Sequence, residues 1–434
     1  CNIDLKWPAK LSELYTSTLE VKPFRVRESN EINDFEDIDL IISNYAFSEC
    51  NLETREEYIN KILSKSKRGY ITHNAPSLHL GLTMEKISVI GIGRLGLCFC
   101  LTLENGGYQV IGCDIIQDYV NSINDKTFYS HEPGVNKLLR CSTNFMVTTD
   151  MHECVQSSDI VFVTVASFSE SDGRYDVSQV DNVVEALIKL GQQENKKHLI
   201  ICTNVNPGYS DSVYDKLSSL NWEVSFNPET IAQGTILKNQ AEPDCVYIGS
   251  DSDQLAQQIK NVYENACTNS PSIHLMDRIS AELTKVSLNC FLTCKISFAN
   301  MVGDLAIKIG AAPEKVLKAV GSDSRINNKF FRYGFGWGGP CFPRDTRAYI
   351  RLSENNDIPF DMCEASININ NKHLDFQVQH FLTTGQCEYV TDSVTYKKGT
   401  VILEESQQLK FAICLAENGI KVTIQESEEV IRQL

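Results

Sequence analysis

The chain has 434 residues, 42% of them hydrophobic and 22% charged, with a formal net charge of -16. That length is enough for about three domains and several apolar cores. The acidic balance argues against non-specific binding to nucleic acid, though local Lys and Arg can still receive an anionic small substrate.

In chain order, residues 1–83 stand apart. DIDLIISNYAF (37–47) reads as a buried strand, NLETREEYINKIL (51–63) as a helix, and KRGYITHN (67–74) as the next strand. With SNYAFSE (43–49) after its strand, this segment resembles the C-terminal half of a sugar O-methyltransferase. The glycine loop that would hold S-adenosylmethionine is missing, so methyltransferase activity is not expected. PSLHLGLT (76–83) reads as a linker.

Met84 opens MEKISVIGIGRLGLCFCLTLENGGYQVIGCD. KISVI is apolar enough for a buried parallel strand. Gly91, Gly93 and Gly96 form G-x-G-x-x-G at its end, a helix follows, and GYQVIGCD reads as a second strand closing on Asp114. This order is the context in which the motif binds a dinucleotide. The turn, Gly91-Ile92-Gly93-Arg94-Leu95-Gly96, would bring the pyrophosphate to the helix N-terminus. Asp114 would bond the ribose hydroxyls and repel a 2′-phosphate, which favours NAD over NADP. The alternative is a glycine turn made only for packing.

Further strands, SSDIVFVTVAS (157–167), KKHLIICTNVNPG (196–208), EVSFNPE (223–229) and DCVYIGSD (244–251), alternate with helical stretches, as a doubly wound sheet requires. Residues 277–310 then read as one long helix, apolar around much of its circumference. Such a helix is too apolar for one small domain to cover and predicts a homodimer interface. From about residue 380, EYVTDSVTYKKGT (388–400), a helix and KVTIQ (421–425) read as an incomplete third α/β domain.

The 16 cysteines are scattered without zinc-finger spacing, so no metal site is expected. No signal peptide and no apolar run of membrane-spanning length are read, which predicts a reduced, cytoplasmic protein with no membrane partner. The first residue is Cys1, and the chain stops early in the third domain, so a fragment is expected.

Glu229 lies in FNPE, Lys285 and Asn289 stand one helical turn apart, and Cys341 and Asp345 lie in GFGWGGPCFPRD (334–345). A thiol can trap an aldehyde, but an ordinary thiol needs a nearby cation or base to become a nucleophile. Lys285 could supply the cation, and a fixed positive charge would also stabilise an oxyanion. The glycines would let the backbone fold around a sugar ring. Each residue has a plainer reading. Cys341 could be a small turn residue, Lys285 a helix lysine reaching solvent, Asp345 a helix N-cap and Glu229 a helix N-terminal acid.

From Met84 onward the chain resembles the UDP-glucose/GDP-mannose dehydrogenase family. The motifs are GIGRLG, HEPG (131–134), FNPE, ELTKVSLN (282–289), DSRI (323–326), GFGWGGPCFPRD and YKKGT (396–400). The resemblance implies a Rossmann-type NAD-binding domain (84–275), a central long-helix dimerisation domain with the Cys loop (276–378) and a partial nucleotide-sugar-binding α/β domain (379–434), after the methyltransferase-like segment (1–83). It implies four-electron oxidation of a nucleotide-sugar C6 alcohol, UDP-glucose foremost, for polysaccharide synthesis. Cys341 would carry a thiohemiacetal and then a thioester. Lys285 and Asn289 would hold the oxyanion, and Asp345 and Glu229 would handle protons. Asn204 would contact the cofactor. Phe330, Gly338 and Asn227 would line the substrate, and Arg325 would reach the neighbouring subunit's site.

The chain departs from the family pattern at several points. Gln233 stands where a second glutamate is usual, Thr203-Asn204 replaces a Ser-Thr pair, and Ala166-Ser167-Phe168 replaces Gly-Thr-Pro. Glu404 stands where an arginine is expected. A single-oxidation hydroxyacid-type dehydrogenase and a non-catalytic NAD-binding remnant are the rival readings.

Overall fold

The computed structural model describes residues 84–231 and 234–434, together with the backbone of four short strands within residues 1–83. The chain divides into two units, Cys1–Met84 and Glu85–Leu434. In the first, β1 (Asn2–Ile3), β2 (Val26–Arg27), β3 (Ile41–Asn44) and β4 (Gly69–Thr72) form a parallel sheet in the order β2-β1-β3-β4. The strands expected in 37–47 and 67–74 are β3 and β4. The helix expected over 51–63 and the linker lie outside the described residues.

The second unit opens with β5 (Lys86–Ile90), α1 (Arg94–Asn105), β6 (Gln109–Cys113), β7 (Phe145–Thr148) and β8 (Ile160–Val163). A two-residue-strand hairpin, β9 (Phe168–Ser169) and β10 (Tyr175–Asp176), leads to β11 (Lys197–Ile201), α2 (Tyr209–Leu217), β12 (Trp222–Phe226), α3 (Ile236–Ala241), β13 (Cys245–Gly249) and β14 (Ser272–Met276). The sheet order is β14-β13-β12-β11-β8-β5-β6-β7. All neighbours are parallel except β12 and β13. Strand order reverses at β5 and β8, so the crevice beyond their C-terminal ends is where a doubly wound sheet takes its ligand.

The strands obey the rule for sheets covered on both faces. Every residue of β8 is buried, as are four of the five in β5. One face packs Ile87 and Val89 against Leu97, Phe99 and Leu101, which α1 turns inward. The other packs Ile90, Val161 and Val163 against Val180, Val184 and Trp222. Each such side chain contributes roughly 1.5–3 kcal/mol by leaving water.

α4 (Arg278–Lys308) leaves the sheet and runs through the centre of the next region. Its N-cap Asp277 accepts from the Ser280 amide at 2.8 Å. Arg278 is locked beside it by Asp211 and Asp251, each at 2.6 Å. The helix is not covered on all sides, as its apolar circumference led one to expect. Its buried stripe is largely polar: Glu282, Lys285, Asn289, Thr293, Ser297 and Asn300. Its large apolar side chains, Phe291, Phe298, Leu305 and Ile309, are 49–71% exposed. By length and hydropathy (1.3) α4 could cross a membrane, with 39% of its most apolar stretch buried here. The charged stripe and the packing of its polar face against α5 (Phe342–Glu354) and α6 (Asp361–Thr383) make it the central helix of this region. β15 (Glu388–Thr391), α7 (Gln407–Glu417) and β16 (Lys421–Ile424) close the chain as a parallel β-α-β unit.

Candidate active site

The glycine turn sits at the sheet's switch point. Gly91 has φ +91°, and a Cβ on Gly96 would lie 2.1 Å from the Gly91 carbonyl, so both glycines close the strand onto the helix. A Cβ on Gly93 would meet nothing within 4 Å. The α1 N-terminus has no side-chain cap and no acidic residue in its first turn. An uncapped helix start of this kind is the arrangement that receives a phosphate anion. Asp114 is fixed opposite. One carboxylate oxygen accepts from Ile92 N at 3.1 Å and the other from Ile116 N at 3.2 Å. NAD fits these residues, with its pyrophosphate at Gly93 and its ribose hydroxyls at Asp114.

The second half of the site is built on α4 and α5. Cys341 is the residue immediately before α5, and its carbonyl accepts from Asp345 N at 2.8 Å, so thiol and carboxylate are one helical turn apart. Asp345 is fully buried. Its Oδ2 accepts from Asn289 Nδ2 at 2.6 Å and from Asn204 Nδ2 at 3.5 Å, and its Oδ1 from Arg344 Nε at 3.1 Å. Asn204, expected at the cofactor, is thus turned to this carboxylate. Lys285 lies one turn before Asn289, is 8% exposed, and makes no hydrogen bond among the described residues. Its charge is felt at both Cys341 and Glu229.

Burial pushes the Cys341 thiol up. Arg344 pulls it back most, Lys285 less, while Asp345 and Glu404 add to the rise. The resting sulfur is therefore a thiol, and it needs a base when it reacts. The cation that most lowers it is Arg344, whose guanidinium is held by Asp345 and by the Ser167 carbonyl at 2.6 Å. Arg344 stands in the same PCFPRD motif as the thiol, so a cation three residues after the cysteine was legible as a charge, but its inward turn was not. Tyr175, beneath the Arg344 guanidinium at 5.5 Å, carried no signal at all.

Other expected residues are placed as follows. Glu229 accepts from Gln240 Nε2 at 3.2 Å, and burial pushes its carboxyl up to about 7 against the pull of Gln240 and Lys285. Phe330 has φ +57° and meets Phe342, the neighbour of Cys341, edge to face at 6.3 Å. Arg325 is 87% exposed and paired with Asp323 at 2.7 Å. Gln233 lies outside the described residues.

Two expectations need correction. Asn227 is fully buried, donating to the Tyr247 carbonyl at 2.8 Å and accepting from Tyr263 Oη at 2.6 Å. Both ends of its amide serve the fold, so no polar atom is left for a substrate. Gly338 does not cradle a sugar through its bare Cα, because a Cβ there would lie 2.1 Å from the Glu405 carbonyl. The glycine-rich loop is bolted down by protein atoms. Trp337 N donates to Asn370 Oδ1 at 2.9 Å, its Nε1 donates to Ser297 Oγ at 2.8 Å, and Gly334 N donates to Asn300 Oδ1 at 3.1 Å.

The raised Glu229 carboxyl makes a testable claim about stability. Below about pH 4.5 it is neutral in both the folded and the unfolded chain. As pH rises toward 7 the unfolded chain ionises first, and stability is lost, with the loss complete once the folded group ionises. Glu229→Gln cannot ionise. It is expected to raise Tm by about 2 °C or more near pH ~8 and to leave it unchanged near pH ~4. Equal shifts at both pH values, read by calorimetry, would contradict the buried acid.

A doubly wound sheet with a glycine turn at its switch point, together with a half-buried thiol and a buried ammonium and carboxylate, defines an NAD-dependent dehydrogenase of the Rossmann type. Family models for the UDP-glucose/GDP-mannose dehydrogenases match twice, the NAD-binding domain over residues 85–267 and the central domain over 279–372. The chain belongs to the UDP-glucose/GDP-mannose dehydrogenase family. UDP-glucose 6-dehydrogenase TuaD of Bacillus subtilis is 30% identical over 69% of this chain, which spans 66% of that protein. UDP-glucose 6-dehydrogenase AglM of Haloferax volcanii is 25% identical over 78% of this chain and 82% of its own length. A UDP-glucose dehydrogenase structure from Pyrobaculum islandicum superposes with TM-score 0.74 at 26% identity, covering 82% of this chain and 85% of that one.

Proposed function

We propose that the chain oxidises the C6 alcohol of a nucleotide sugar to the carboxylate, with UDP-glucose the first substrate to try. The observation that carries this reading is Cys341, one helical turn from a fully buried Asp345 that is itself fixed by Asn289 and Arg344. The glycine turn Gly91–Gly96 and Asp114 would hold NAD, which would supply the hydride acceptor for each of the two oxidations at C6.

This chain's own residues handle the rest. Asp345 receives the proton of the alcohol as the aldehyde forms. The Cys341 thiol then adds to the aldehyde carbon, its proton passing to a base and its sulfur forming the C–S bond of a thiohemiacetal. The second oxidation makes a thioester. Water breaks that C–S bond, giving the carboxylate and returning the thiol. Lys285 and Asn289 stabilise the oxygen of each tetrahedral species, where charge develops in a nearly dry site. Glu229, whose carboxyl desolvation pushes up to about 7, is suited to give and take the protons of hydrolysis.

A simple hydride-transfer dehydrogenase has no need of a thiol at the head of α5. The exposed apolar face of α4, with Phe291 and Phe298, supports pairing of two copies along that helix. The test is NADH formation by purified protein with NAD and a panel of UDP- and GDP-sugars. Turnover with one nucleotide sugar and none with small hydroxyacids is the expected result. The reverse pattern would move the chain to the hydroxyacid dehydrogenases.

A further inference from the structure

We propose that Tyr175 is a positioning residue for Asp345, its hydroxyl taking the hydrogen bond of the aspartic acid whenever that carboxylate picks up a proton. This rests on the proton-accepting role given to Asp345 above.

Every hydrogen bond Asp345 makes through its side chain is one it accepts. Asn289 and Asn204 donate to Oδ2, and Arg344 donates to Oδ1. Arg344 has no acceptor to offer in any state. The ionised carboxylate is therefore well served. A protonated one would direct its O–H at a donor unless Asn289 or Asn204 gave up its own bond and turned its amide oxygen inward. A base that cannot hold its proton comfortably is a poor base.

Tyr175 supplies what is missing. It is 2% exposed and packs in one cluster with Val286, Cys290 and Ala348. Cys290 Sγ lies 3.7 Å from the Asp345 carbonyl, and the Arg344 guanidinium lies over the Tyr175 ring. The Tyr175 hydroxyl is buried and closes no hydrogen bond among the described residues. A phenol can donate or accept by turning its O–H alone, with no other bond given up. Burial, with the Asp345 charge next, pushes its own ionisation well above the usual phenol range. It therefore stays a phenol and never acts as the base.

The backbone holds the residue for this task. Asn206 clamps it at both ends of its amide, its Oδ1 accepting from Tyr175 N and its Nδ2 donating to Tyr175 O, each at 3.3 Å. The hairpin that carries Tyr175 pairs with Ser169 and Phe168 beside the carbonyl that Arg344 binds. In the cycle, the proton leaves the reacting oxygen or sulfur and joins an Asp345 oxygen. The new carboxyl O–H then points at Tyr175 Oη as the phenol hydrogen turns away. No bond to Tyr175 is made or broken.

Two measurements test this, using the whole chain. Tyr175→Phe keeps the ring and its packing. It is expected to lower kcat about tenfold, the effect of one lost hydrogen bond in the transition state, with KM changed less than about twofold. In an Asp345→Asn background the same change should cost nothing further, because the two side chains act as a unit. A loss that multiplies with Asp345→Asn, or no loss in the single variant, would overturn the proposal. The second measurement needs no turnover. Ultraviolet resonance Raman, with Tyr175→Phe subtracted, reads whether this phenol donates or accepts. In Asp345→Asn it should read as an acceptor, since the new amide can donate as the protonated acid does. An unchanged band would overturn the pairing. Absence of NADH with every nucleotide sugar, by contrast, would defeat the assigned reaction and leave the Raman result to decide the pair.

Discussion

Cys341→Ala is expected to end carboxylate formation, by a factor on the order of 10⁴ or more, while aldehyde-level hydride exchange persists. A loss of that size is the scale of removing a covalent nucleophile. The thiol is needed only after the first oxidation, so the alcohol–aldehyde step keeps its base, Asp345, and its cofactor turn. The substitution is also mild for the fold. Cys341 is partly exposed, precedes α5 without capping it through its side chain, and Ala fills nearly the same space. Product analysis by mass spectrometry would distinguish uronate from aldehyde. Uronate made at the normal rate would return Cys341 to the status of a small turn residue and make Arg344 and Lys285 cations without a sulfur to serve.

Lys285→Met should lower kcat by about 10²–10³ and leave NAD affinity within about twofold, as removal of one oxyanion-stabilising group does elsewhere. Methionine keeps the length and apolar stem of lysine, so the loss is of charge, not of packing. The lysine is on the polar stripe of α4, and its charge acts on Cys341 and Glu229. Its removal also takes away one of the two influences that hold the Glu229 carboxyl down, so that group is pushed further up. Titrating NAD by intrinsic fluorescence and measuring kcat separately checks both halves. A weakened NAD affinity with unchanged kcat would place Lys285 in cofactor binding.

The first half of the dehydrogenase unit was legible because buried parallel strands are written as unbroken apolar runs. KISVI and IVFV could be little else, and the glycines that follow β5 lie in the only order that lets a helix close onto it. The candidate site was legible for a chemical reason: a thiol, a lysine and two acids are uncommon companions. What was not legible depends on contacts between distant segments. Asn204 meets Asp345 across 141 positions, and Ser167 meets Arg344 across 177. The glycine-rich loop read as a cradle for sugar because the atoms that crowd it, from Asn370 and Glu405, come later in the chain. Asn227 looked available until Tyr263, 36 positions on, took its oxygen. For α4, apolar spacing located the helix, but residues apolar around much of its circumference did not say which side would be covered. The buried side carries the chemistry, and polar residues hydrogen-bonded to neighbouring elements fill it, leaving the phenylalanines outside.

The most direct measurement is the number of NADH molecules released per sugar consumed, with UDP-glucose and excess NAD. The account predicts about two, one for each hydride that separates an alcohol from a carboxylic acid, with uronate as the product. One NADH per sugar, with aldehyde as the product, would contradict the thioester route and leave Cys341 without a role in the reaction.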